Sequence, residues 1–160
     1  MMDTILPEFC LCELLTARKL KLAAAESCTG GLVGHRLTNA AGASAYFLGG
    51  VVAYAYEAKV RLLGVSWDTL NTHGAVSQET ALEMARGVRK VFDADIGVSV
   101  TGIAGPGGGA PGKPVGTVWI GLSASKHEDA RHFLWRGSRL ENKEQSAEAV
   151  LRLLIEYLSQ

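Results

Sequence analysis

The sequence is poor in the residues that build metal centres, disulfide frameworks and membrane spans. It has three cysteines, Cys10, Cys12 and Cys28. The number is odd, and Cys10 and Cys12 are too close along the chain for an ordinary bridge, so a disulfide scaffold is excluded and a reducing, cytoplasmic setting is expected. Four histidines, His35, His73, His127 and His132, show no ligand spacing with one another or with the cysteines, and HExxH does not occur. No metal and no cofactor are expected. No stretch approaches ~18 consecutive apolar residues, which argues against a membrane span. The first fifteen residues, interrupted by Asp3, Pro7, Glu8 and Glu13, have neither the basic leader nor the apolar run of a signal peptide. Charge of one sign is also missing: Lys plus Arg and Asp plus Glu are both 16, leaving no net positive field to gather a nucleic acid. GxSxG, GxxxxGK[ST] and GxGxxG are all absent, so neither a common serine hydrolase nor a P-loop nor a dinucleotide fingerprint is written in the chain.

What is present is a globular composition, 48% hydrophobic and 20% charged over 160 residues. A chain of this size buries roughly 70% of the surface its unfolded form exposes and needs no staple to stay folded. With no internal repeat or linker, residues 1–160 are expected to form a single domain.

Apolar residues at Leu6, Cys10, Leu14 and Ala17, widened by Leu11 and Leu15, predict an amphipathic first helix. A short buried strand follows from Lys21 to Ala25, ending at Glu26, then the turn AESCTGG and a helix carrying Leu32, Val33, Arg36 and Leu37. FLGGVVAY (47–54) predicts a strand with a bulge or a close backbone approach at its glycines. YEAKVRLLG continues as a helix. Ser77 is placed to cap a helix that turns Ala81, Met84, Ala85, Val88 and Val91 to one side. Ile96 to Thr101 is the next strand, and Gly102 to Gly116, with seven glycines and three prolines, is loop. Strands at 117–125 and 131–135, separated by a KHED turn, are expected to pair antiparallel before a last helix bearing Ala147, Val150, Leu151, Leu154 and Leu158. The pattern predicts an α/β fold, a three-layer α/β/α sandwich with a mixed, mostly parallel sheet of about five strands.

Two glycine-rich segments are expected at the carboxyl rim of that sheet, where open α/β folds collect ligands. In AESCTGG, the hydroxyls of Ser27 and Thr29 and the N–H groups of Gly30 and Gly31 stand at a helix start, which favours an anion such as phosphate; an ordinary βα turn explains the same residues equally well. The loop containing Gly102 and Gly105 is long enough to suggest a role in binding. Cys28 could be a nucleophile, but a small buried cysteine is the more economical reading. A serine can attack an amide if a lysine made neutral by burial serves as its base. Lys59 and Ser44 are candidates for that pair, though each, taken alone, reads as an ordinary helix lysine and turn serine.

AESCTGG, AGASAYFLGGVVAYAYEAK, LLGV, HGAVS, VSVTGIAGPGGG and KPVGTVWIG, in this order and spacing, resemble the CinA C-terminal domain family over nearly the whole chain. The resemblance implies nicotinamide-nucleotide amidase activity, in which water converts nicotinamide mononucleotide to nicotinate mononucleotide and ammonia in pyridine nucleotide salvage. It implies Ser44 as nucleophile, Lys59 as general base, Tyr54 as the residue orienting the pair, and Thr101 and Arg139 as contributors to the substrate site. Ser27, in a strand-to-helix turn, is the rival nucleophile. The sequence departs from similar chains at Tyr56, where Asn is common, and at Lys143 and Glu144, where arginines occur. Larger members carry an N-terminal domain whose separate activity is not assigned here. A homo-oligomer is expected, and a nucleotide-binding module without catalysis or a partner-interaction subunit are the competing readings.

Overall fold

A computed structural model of the chain describes residues 5–160; Met1 to Thr4, including Asp3 of the leader reading, lie outside the described residues. The sheet is built from β1 (Leu22–Glu26), β2 (Phe47–Val52), β3 (Ile96–Gly102), β4 (Thr117–Ala124) and β5 (His127–Leu134), in the order β2-β1-β3-β4-β5. β1 pairs parallel with β2 and β3, whereas β3–β4 and β4–β5 are antiparallel. The result is an α/β fold with a five-stranded mixed sheet flanked by helices. Every residue of β1 is buried, as a central strand covered on both faces requires.

Alternation along the strands sends successive side chains into two cores. Leu22, Ala24, Val98, Val100 and Ile120 face a core closed by α1 (Pro7–Arg18), α2 (Leu32–Leu37) and α6 (Arg139–Leu158). Ala23 and Ala25 face the other, closed by α3 (Tyr56–Leu63), α4 (Trp67–His73) and α5 (Gln78–Val91). The chain leaves β1 through α2 to reach β2, then returns through α3, α4 and α5 to β3 on the opposite side of β1. The strand order therefore switches at β1, and the crevice at the carboxyl ends of β1 and β3 is the place such sheets offer a ligand.

Several sequence expectations are corrected by tertiary context. The buried face of α1 is Leu11 and Leu15 with Pro7 and Glu8, whereas Leu6 is exposed. It is rotated because Glu8 meets Arg36 of α2, which also pairs with Glu148 of α6, at 2.6 and 2.7 Å. Val91 is exposed at the end of α5. The bulge expected in 47–54 is present as a register shift between Leu22 and Ala23 against β2, and the strand itself ends at Val52. Helix α4 is an additional element, capped by Ser66, whose hydroxyl accepts from the Thr69 N–H. His127, Glu128 and Asp129, expected in a turn, belong to β5, because pairing with Ala124, Ser123 and Leu122 outweighs the low strand propensity of charged residues. The last helix begins at Arg139, two turns before Ala147, the first apolar position expected on it, because Ser138 and Glu141 close a capping box.

Candidate active site

Glu26 ends β1 and the chain turns at once into α2. Strand alternation points Glu26 to the α2 face and Ser27 to the α3 face, so adjacent residues reach opposite sides of the sheet. Gly30 and Gly31, at φ of 61° and 110°, supply the left-handed conformations that the tight turn requires. Ser27 is fixed through its backbone on both sides: its N–H donates to Val100 O at 2.9 Å and its carbonyl accepts from the Gly30 N–H at 3.1 Å. Its side chain lies at the floor of the rim, with 8% of the residue exposed.

Lys59 reaches Ser27 from the second turn-start on the same rim. β2 ends at Val52, Ala53 and Tyr54 carry the chain over the edge, and α3 begins at Tyr56 with Glu57 in its first turn and ends at Gly64 in the left-handed conformation. The helix buries Lys59, which is 1% exposed, among residues of the α3–α5 core. Its Nζ lies 2.9 Å from Ser27 Oγ, 2.8 Å from Ala53 O and 3.2 Å from Tyr54 O. No carboxylate is among these partners. Burial penalises the charged form and brings the Lys59 ammonium down to about 8 from 10.5. The donor count then matters. A neutral amine has two N–H groups and one lone pair; the two carbonyls take the N–H groups and leave the lone pair facing the Ser27 hydroxyl.

Ser44 is elsewhere. It is exposed in the short 3-10 turn Ala43–Ala45, which precedes β2, whereas Lys59 binds the carbonyls that follow β2. The six residues of that strand separate the two ends by roughly 20 Å at about 3.3 Å per residue. The expected Ser44–Lys59 pair is therefore corrected to Ser27–Lys59. The strand expected between Ser44 and Lys59 keeps them apart, while the 32 positions between Ser27 and Lys59 are bridged by parallel pairing of β1 and β2.

The helix start expected to hold phosphate is already occupied. Glu26 Oε1 accepts from Thr29 Oγ1 at 2.6 Å, Gly31 N at 3.2 Å and Val33 N at 2.9 Å, and Oε2 accepts from Gly34 N at 3.0 Å. The Thr29 hydroxyl and the Gly30 and Gly31 N–H groups thus bond inside the protein. The signal was in the sequence, as an acidic residue beside the glycines at a helix start, but a carboxylate there also reads as a catalytic or solvent-facing group.

The remaining expected residues are gathered around the same rim. Tyr54, 58% exposed, presents its hydroxyl at 2.9 Å from Arg139 Nη2, and Arg139 Nη1 donates to Gly105 O at 2.7 Å. Asn142, one turn further along α6, donates from Nδ2 to Ala104 O at 3.0 Å, so the start of α6 pins the glycine-rich loop in place. Asn142 carried no signal in the sequence, because its role exists only once α6 and the loop meet. Lys143 lies on the same side of α6: its Nζ is 3.9 Å from the position a Cβ on Gly30 would take. Gly102 pairs with Val118 at the end of β3, and a side chain there would collide with Val118 and Thr117. Thr101 is buried and donates to Ala75 O at 2.7 Å, tying β3 to the segment before α5. Cys28 is buried, and loss of hydration pushes its thiol up to about 12, so it is protonated at neutral pH and packs as a small apolar side chain. Among the described residues no group of three or more His, Cys, Asp or Glu side chains could hold a metal ion, and no helix is long and apolar enough to cross a membrane.

Comparison with known proteins agrees with this architecture. The chain is 55% identical over 148 residues to a CinA-like protein of Chlorobaculum tepidum, covering 89% of this chain and 35% of that protein. It is 52% identical over 151 residues to a CinA-like protein of Chloroherpeton thalassium, covering 92% and 36%. The chain thus spans about a third of the length of the curated relatives it matches. Among solved structures, the competence/damage inducible protein CihA of Agrobacterium tumefaciens superposes with a TM-score of 0.93 at 40% identity, over 96% of this chain and 94% of that one. A competence damage-inducible protein A of Klebsiella pneumoniae gives 0.93 at 34% identity, over 96% of each chain. Residues 8–158 match the model of the CinA C-terminal domain, and the chain belongs to that family.

Proposed function

We propose that the protein is an amidohydrolase that converts nicotinamide mononucleotide and water to nicotinate mononucleotide and ammonia through a Ser27–Lys59 dyad. The observation that carries this reading is a buried lysine, without an acidic partner, whose amine meets a serine hydroxyl at 2.9 Å. Such a pair supplies both parts of nucleophilic amide cleavage, a hydroxyl at a strand-to-helix turn and a base that is partly neutral near physiological pH.

In this mechanism the Lys59 lone pair takes the Ser27 proton as Oγ attacks the carboxamide carbon. The protonated lysine then gives that proton to the leaving ammonia, and water repeats the sequence on the acyl-enzyme. Among the described residues, the Cys28 and Thr29 N–H groups in the turn beside Ser27 have no protein acceptor, which makes them the nearest donors for the developing oxyanion. With the α2 start filled by Glu26, the substrate phosphate falls to the cations of α6. Arg139 stands at the rim beside Tyr54, and Lys143 is one turn away over Gly30.

The test is ammonia release from nicotinamide mononucleotide by purified protein, with Ser27→Ala and Ser44→Ala side by side. Ser27→Ala is expected to lose roughly four orders of magnitude in kcat, as nucleophile removal does in other hydrolases, and Ser44→Ala to stay within about threefold of the parent. Loss of activity in Ser44→Ala with retention in Ser27→Ala would overturn the dyad; binding of the mononucleotide without turnover by the parent would overturn the enzymatic reading.

A further inference from the structure

We infer that Glu26 is a positioning residue for the Ser27 nucleophile, an internal anion that fills the start of α2 and fixes the turn from which Ser27 acts. The inference rests on the Ser27 reading above. Glu26 is 3% exposed and its two carboxylate oxygens accept four hydrogen bonds, three on Oε1 and one on Oε2. Both oxygens act as acceptors toward these donors. Three of the four donors are N–H groups at the beginning of α2, which have no partner within the helix and sit at the positive end of its dipole. The fourth, Thr29 Oγ1, lies two residues beyond Ser27.

These bonds close the segment from Ser27 to Gly34 around one buried charge. They tie Thr29 and Gly31 to Glu26, and the Gly30 N–H on the Ser27 carbonyl closes the same turn. The consequence for chemistry is orientation. Ser27 Oγ must meet Lys59 Nζ on one side and an incoming carboxamide on the other, and a misplacement near 1 Å costs on the order of 100-fold in rate. The consequence for recognition is exclusion: an external phosphate cannot use the α2 start while the protein's own carboxylate is there.

The test measures kcat and KM of ammonia release from nicotinamide mononucleotide for Glu26→Gln, Glu26→Ala and Thr29→Val, with Ser27→Ala as reference. Glu26→Gln keeps the shape but turns an NH2 toward the N–H donors. Its kcat is expected to fall by about 10- to 100-fold with KM unchanged, because Glu26 touches no substrate. Thr29→Val removes one of the four bonds and keeps the fold, and its kcat is expected to fall severalfold in the same pattern. In Glu26→Ala, added formate is expected to restore kcat saturably by refilling the cradle. A Glu26→Gln protein with unchanged kcat and only a lowered Tm would overturn the inference, as would a KM effect without a kcat effect, which would mean that the helix start binds substrate after all. If Glu26→Gln does not fold, an unchanged kcat in Thr29→Val overturns it instead. Full activity in Ser27→Ala would refute the underlying dyad, an outcome separate from any Glu26 result.

Discussion

The Lys59 amine makes the dyad testable by pH alone. In water its pKa is 10.5, which at pH 7 leaves about three molecules in ten thousand with a lone pair available; burial brings it to about 8, and the neutral fraction rises to about one in ten. The fold therefore raises the neutral fraction of this amine about 300-fold, and under the proposed dyad that fraction is the competent base. The assay is kcat/KM for ammonia release between pH 6.5 and 10, above the range where a phosphate monoester takes on its second charge at about 6. kcat/KM, which reports the free enzyme, is expected to climb close to tenfold per pH unit at the acid end, reach half its limit near 8 and level off by about 9. A profile that is flat from pH 6.5 to 9, or one still climbing at 10, would refute the argument that burial prepares Lys59 as the base. The same depression links pH to folding. Between about 8 and 10.5 the unfolded chain binds a proton at this residue that the folded chain does not, so stability rises with pH across that window by up to about 3 kcal/mol and is independent of this group below it. Urea denaturation at pH 7.5 and 10 checks this, and Lys59→Met is expected to remove both the kinetic limb and this part of the stability gain.

Arg139→Ala removes the cation that bridges Tyr54 and Gly105 and should raise KM for the mononucleotide by about 10- to 100-fold, the range of a charge-assisted hydrogen bond, with a smaller effect on kcat; steady-state kinetics reads this directly. Arg36→Ala leaves the Glu8 carboxylate, 3% exposed between α1 and α2, without its charge partner and should destabilise the fold by about 3 kcal/mol, visible as a lower urea midpoint. Although burial opposes it, hydrogen bonding to Arg36 holds the Glu8 carboxyl below its usual 4.5, so the stability this pair contributes is present above about pH 4.5 and lost as pH falls further; the Arg36→Ala protein should lack that acid-linked loss.

Much of the fold was legible because it rests on local pattern. The alternation of apolar strands with helical segments, the cap at Ser77 and the glycines after Glu26 each commit a few neighbouring residues, and a five-stranded mixed sheet flanked by helices is what they assemble. The less legible parts depended on pairing across distance. β5 begins in charged residues that only β4 makes into a strand, and α6 begins at Arg139, ahead of its apolar positions, because Ser138 and Glu141 cap one another. Lys59, Tyr54, Thr101 and Arg139 could be singled out by resemblance. Their mutual geometry, and the contribution of Asn142, had no counterpart in any short stretch of sequence.

The sequence by itself determined the family, the α/β architecture and the carboxyl rim where the glycine-rich segments gather. Tertiary structure decided which serine meets that lysine and which anion fills the helix start. Parallel pairing of β1 with β2 brings the two strand ends together and places Ser27 against Lys59, while the length of β2 carries Ser44 to the far edge. Strand alternation then turns Glu26 and Ser27, neighbours in the chain, to opposite faces of one sheet, and a two-residue period acquires that meaning only when there are helices on both sides to receive them.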